Sequence, residues 1–130
     1  MKVLTGDELA ALTDVPKESV ELPGIGCVYV RGMTGKERDH WENALMVGRG
    51  ANRRVDTRNA RARLAVRCLV DEQGQRLFAD HDAERVGNIR ADLLQRIFNV
   101  AQRLSGVSDE DLDELGKSSG SVDGDASSST

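Results

Sequence analysis

Between Asn88 and Ser105 the apolar residues Ile89, Leu93, Leu94, Ile97, Phe98, Val100, Ala101 and Leu104 recur close to the i, i+3, i+4, i+7 series. That spacing falls on one face only in an α-helix, so the segment reads as a long amphipathic helix that the rest of the chain must bury. Burying one such side chain stabilises by about 1.5–3 kcal/mol, which makes this helix a main source of core free energy. Gly106 follows as the C′ residue that ends it. The plainest role is core helix; a second is an amphipathic surface that also grips a partner helix.

The elements that do the burying are short and strongly punctuated. Val20-Glu21-Leu22 and Cys27-Val28-Tyr29-Val30 flank Pro23-Gly24-Ile25-Gly26, which predicts a β-hairpin with Val28 and Val30 on one face. Thr34 followed by Glu37 is a capping box, and the helix it opens is expected to run to about Val47 with Trp41 and Leu45 on its apolar stripe. The only Trp and the only Tyr of the chain both lie in this strand-and-helix run. Thr5 and Glu8 form a second capping box for a short helix ended by Val15-Pro16. With Leu9 and Leu12 as its apolar edge, that helix is too short to stand alone and must dock on something.

Gly48–Arg54 reads as a flexible basic connection, and residues 56–70 as a second long helix capped by Asp56 or Thr57. Leu64, Ala65, Cys68 and Leu69 are its apolar stripe. Asp71-Glu72-Gln73-Gly74 is turn chemistry, fitting a tight hairpin or a helix-to-loop reversal. A helix start at Asp80 and a short acidic helix capped by Ser108 follow. After Lys117 only small and polar residues remain, too little apolar surface to order a tail. The expected fold is a mostly helical α+β domain with an N-terminal β-hairpin over residues 1–116, and a disordered Ser/Gly/Asp-rich tail over 117–130.

The chemistry-bearing residues are sparse. Cys27 and Cys68 lack CxxC or Cys/His spacing and are expected to be reduced core thiols, so neither a metal nor a cofactor site is expected. His40 has no nucleophile or carboxylate partner at a recognisable spacing, and the acids around His81 fit a helix N-terminus as well as any acid–base site. The Gly48–Arg54 loop lacks the GxxxxGK[ST] spacing of a phosphate cradle. No paired carboxylates or nucleophile elbow remain, and an enzyme is not expected. No run reaches the about 20 apolar residues of a membrane span, nor does the N-terminus carry a signal-peptide pattern, so a cytoplasmic protein is expected.

Charge is distributed unevenly. Residues 31–67 carry +6, while the whole chain carries −4. Arg58, Arg61, Arg63 and Arg67 form a basic band on the second long helix, the basis of an alternative reading as a small nucleic-acid-binding regulator. Against it stand the acidic overall balance and the absence of aromatic residues among the arginines.

Leu4-Thr5-Gly6-Asp7-Glu8-Leu9, then Val28-Tyr29-Val30-Arg31-Gly32-Met33-Thr34-Gly35-Lys36-Glu37-Arg38-Asp39, then Asp71-Glu72-Gln73-Gly74-Gln75-Arg76-Leu77-Phe78 and Leu104-Ser105-Gly106-Val107-Ser108 occur in an order and spacing that resemble one family. It is the tail assembly chaperones of long-tailed bacteriophages, similar to the lambda G protein. The resemblance spans roughly residues 3 to 117. It implies a non-enzymatic, non-structural protein of the host cytoplasm, absent from the mature virion. Such a protein binds the tape measure protein and keeps it soluble while the tail tube polymerises around it. It also implies a longer form made by programmed ribosomal frameshifting that recruits the tail tube protein; Gly116-Lys117 is the candidate slippage point. The expected client-binding surface is Trp41, Leu45, Leu93, Ile97 and Phe98. Whether the chain forms a homo-oligomer is left open by the sequence.

Overall fold

The strand expected at Cys27–Val30 forms the middle of a three-stranded antiparallel sheet. The structure is a computed structural model in which residues 1–114 are described; the tail, the domain end at 116 and the Gly116-Lys117 segment lie outside them. Strand β1 (Lys17–Leu22) pairs with β2 (Gly26–Arg31), Val20 opposite Val28, and β2 pairs on its other side with β5 (Leu69–Val70), Val30 opposite Leu69. The turn between β1 and β2 uses Gly24 at φ +76, in the left-handed region. One sheet face, carrying Val20, Leu22, Val28, Val30 and Leu69, joins the core; Cys27 and Tyr29 lie on the other.

Helix α5 (Ala91–Leu104) lies against that inner face and buries Leu94, Ile97, Phe98 and Ala101. It ends as the glycine at 106 requires. Gly106, at φ +70, donates from its N–H to the Arg103 carbonyl, and the Val107 N–H returns to the Gln102 carbonyl. Val107 is itself buried, so this is a complete Schellman closure with its apolar contact. At the sheet edge Arg103 of α5 makes a two-pronged pair with Glu18 of β1, both contacts 2.8 Å. The helix begins at Ala91 rather than 88, because Arg90 is extended at φ −46, ψ 134.

Against α5 packs α3 (Ala60–Cys68), which buries Ala62, Leu64, Ala65, Val66 and Cys68. It is shorter at both ends than the expected 56–70. At the start, Asn59 takes a left-handed conformation (φ +51) and makes no side-chain cap, while Asp56 and Thr57 stay outside the helix. At the end, Leu69-Val70 leave the helix to pair with β2, since strand pairing satisfies backbone groups that a lone hairpin leaves open. The chain then reverses tightly: Asp71 Oδ1 accepts from the Gln73 and Gln75 N–H groups, both at 2.9 Å, and Gly74 takes φ +86.

Helix α2 (Gly35–Leu45) starts with both reciprocal bonds of the Thr34/Glu37 capping box. The Arg31 guanidinium, which donates to both Glu37 carboxylate oxygens, holds that carboxyl below its ordinary range, aided by the Thr34 N–H. The helix stops at Leu45 instead of Val47. Met46-Val47 (β3) pair with Arg54-Val55 (β4) around a single 3-10 turn, so 48–54 is a tight reversal and not the loose connection expected.

The segment from Asp80 is a 3-10 turn, Asp80–Asp82, leading into α4 (Ala83–Gly87), and residues 109–114 are helical behind a Ser108/Asp111 capping box. The first helix, α1 (Gly6–Ala10), carries its Thr5/Glu8 box but none of its residues is buried. Among the described residues α1 makes none of the larger element-to-element contacts, so the docking expected of it is not seen there. The thiols also part company. Cys68 is buried, Sγ 3.8 Å from Ser105 Oγ, and burial pushes its pKa to about 11. Cys27 is exposed on the outer sheet face, contrary to the core position expected, because it lies near the start of β2 opposite the solvent-facing Glu21.

Candidate binding groove

Trp41 and Leu45 stand one helical turn apart on α2, and both point under the same roofless cleft. The opposite wall is α5, through Gln95, Phe98, Asn99 and Gln102; Val55 of β4 and the first turn of α3 close one end, and Leu112 and Asp109 of the 109–114 stretch close the other. The cleft holds about 360 Å³, within the about 300–1,000 Å³ of small-ligand pockets, and its lining is mostly apolar.

Its walls are braced by polar ties. Asp56 donates from its N–H to the Leu45 carbonyl at 2.6 Å, satisfying an orphan at the end of α2. Arg63 on α3 donates to the Ala44 carbonyl (2.7 Å) and the Asp56 carbonyl (3.2 Å). The Arg58 guanidinium and N–H, with Arg63 beside them, hold the Asp56 carboxyl far below the usual carboxylate range. On the other side, Arg38 of α2 reaches the Gly106 carbonyl at 3.2 Å and Asp111 at 3.5 Å, fixing the 109–114 stretch against α2.

Two features of the floor stand out. The Trp41 indole is 1% exposed, and its Nε1 has no hydrogen-bond partner among the described residues. A buried donor left open costs about 1–3 kcal/mol unless something supplies an acceptor. Beside it the Arg61 guanidinium carbon lies 5.6 Å from the centre of the Phe98 ring, a cation–π contact at the groove rim.

Of the five residues expected to bind a client, Trp41, Leu45 and Phe98 meet in this groove. Ile97 is interior core, and Leu93 is half-buried and does not line the cleft. Val55, Arg61 and Leu112 were not among the expected residues; the signal for Leu112 was its place as an apolar residue among the acids of 109–114. The basic band is largely engaged within the chain. Arg58 and Arg63 pair with Asp56, Arg67 pairs with Asp80, and Arg61 covers Phe98. A row of free guanidinium groups, which phosphate binding needs, is not what this helix presents.

The model of the phage tail assembly chaperone family matches residues 17–118. The chain belongs to the phage tail assembly chaperone family. The chain is also similar to a solved structure, the bacteriophage HK97 tail assembly chaperone, at 21% identity and a TM-score of 0.52. The likeness covers 75% of this chain and 94% of that one, and it shows a shared fold. No curated protein sequence matches the chain. Among the described residues of this chaperone-family protein, no His, Cys, Asp and Glu cluster is arranged to hold a metal ion, and no helix is long and apolar enough to cross a membrane.

Proposed function

We propose that this chain binds the tape measure protein, keeps it soluble in the host cytoplasm while tail tube subunits polymerise around it, and is left out of the finished virion. Family membership supports the general role, and the Trp41–Phe98 groove supports a client that presents an apolar helix face.

Co-expression with the tape measure protein is expected to raise the soluble fraction of that protein and to yield a complex that co-purifies. Leu112→Asp places a charge on the groove wall at a half-buried site. It is expected to lower co-purification at least about tenfold, the effect of losing one interface anchor, with an unchanged circular dichroism spectrum. A tape measure protein equally insoluble with or without this chain defeats the proposal.

A longer, frameshifted product that recruits the tail tube protein belongs to the same reading. It requires a slippery heptamer across the codons of Gly116-Lys117 and an overlapping frame downstream. A gene with neither sinks that part alone.

A further inference from the structure

The Trp41–Phe98 groove has a direction. It follows α5 from Gln95 to Gln102, about 10 Å or two helical turns. Helix α2 lies across from α5 in the reverse sense. Arg38, near the start of α2, reaches the Gly106 carbonyl just past the end of α5, while Leu45, the last residue of α2, accepts from the Asp56 N–H. Leu45, Val55 and Arg61 therefore mark one end of the groove, and Asp109 and Leu112 mark the other.

Each end keeps charge that the fold leaves unmatched. At the first, Arg61 is exposed and meets only the Phe98 ring. Arg53 and Arg54, exposed just before Val55, join no ion pair among the described residues; Arg54 reaches only the Asn52 carbonyl. The Asp56 carboxyl at this end is already held by Arg58 and Arg63. At the second end, Asp109 accepts from the Gln102 side-chain amide at 2.7 Å and has no cation beside it among the described residues, and neither has Asp113. One helical turn apart, these two acids flank Leu112 on one side of the 109–114 stretch. The nearby cation, Arg38, is committed to Glu42, Asp111 and the Gly106 carbonyl. About 10 Å, a Debye length at physiological salt, separates the ends, so they do little to neutralise each other.

We propose that the groove selects a helical client segment of about two apolar turns whose own two ends are oppositely charged. Its acidic end seats at Arg53, Arg54 and Arg61, and its basic end at Asp109 and Asp113. This selectivity builds on the groove being the client site, and it adds which segments of a client are taken and which way round they lie. Apolar anchors alone grip an amphipathic helix in either sense. Charges at the two ends fix its direction, because a reversed segment, or one with like charges at both ends, meets repulsion at one end or both.

Three synthetic helical peptides test this. They share one leucine stripe and differ only in their ends: glutamate at one and lysine at the other, glutamate at both, or lysine at both. Fluorescence anisotropy with the full chain at low salt is expected to give the mixed-end peptide a Kd at least about tenfold below the other two, a gap that closes in about 0.5 M salt. Arg53→Glu/Arg54→Glu/Arg61→Glu, all at exposed positions, is expected to make the lysine-ended peptide the tightest, and Asp109→Lys/Asp113→Lys the glutamate-ended one. Reversing both ends together is expected to restore the mixed-end preference, since the peptide then lies the other way round. The comparison on the unaltered chain stands whether or not a variant folds. Equal binding of the three peptides, tightest binding of a like-charged one, or binding of none overturns the proposal. So does a folded variant with one end reversed that keeps the original preference. Each of these results leaves the tape measure reading to its own co-purification test.

Discussion

Trp41→Ala is expected to remove about 3–5 kcal/mol of folding stability, measured by urea denaturation followed by far-ultraviolet circular dichroism. The indole is 1% exposed and sits with Leu45, Phe98 and Leu112 around it, so no neighbour is free to collapse into the space. A domain of this size has about 5–15 kcal/mol in total, which puts the variant near the edge of folding at ordinary temperature. The orphaned Nε1 makes a second variant informative. Trp41→Phe keeps much of the ring volume and discards a donor that bonds nothing among the described residues, so its cost is expected to stay within about 1.5 kcal/mol. A Trp41→Phe cost as large as that of alanine would show that the N–H has found a partner. Because Trp41 is the sole Trp, its fluorescence reports the same corner in the native protein: adding a client is expected to shift its emission.

The parts of this fold that were legible beforehand are the ones whose cause lies within three or four residues. The Thr5/Glu8, Thr34/Glu37 and Ser108/Asp111 starts and the Gly106 stop all involve side chains and backbone groups that meet in any chain carrying them. The stripe of α5 was equally plain, because burial follows the 3.6 period directly. Helix ends set by distant partners were not legible. Leu69-Val70 and Met46-Val47 both continue a helical pattern in the sequence, and both become strands because β2 and Arg54-Val55 present open backbone groups to them. The groove divides along the same line. Trp41, Leu45 and Phe98 follow from helix stripes, whereas Val55, Arg61 and Leu112 reach it only because three separated segments converge. Charge shows the same limit: the sequence sets four arginines near one helix in a chain with acidic flanks, and only the structure names the partners, pairing Arg58 and Arg63 with Asp56 and Arg67 with Asp80.

Gly32→Ala is expected to destabilise the domain by about 2–3 kcal/mol, an unusual effect for one added methyl group. Its place in the Arg31-Gly32-Met33-Thr34-Gly35 run follows from packing. Gly32 leaves β2 just where the last turn of α5 crosses it, and a Cβ there would run into the Leu104 carbonyl oxygen, with the carbonyl carbon only 2.8 Å away. The obstacle is backbone, so no side chain can swing aside. Relief requires the end of α5 to lift from the sheet, straining the Arg103–Glu18 pair and the buried Val107 closure together. The Gly32 N–H is also committed, donating to the Pro16 carbonyl at 2.9 Å, so the strand cannot easily yield instead. Gly35, three residues on, is the control. A Cβ there meets nothing within 4 Å, and it begins α2, so Gly35→Ala is expected to be neutral or to stabilise by up to about 1 kcal/mol. Thermal and urea unfolding of the two variants side by side separates a steric demand at one glycine from a general intolerance of the turn. Equal losses at both positions would mean that the run resists substitution for some reason other than the approach of Leu104.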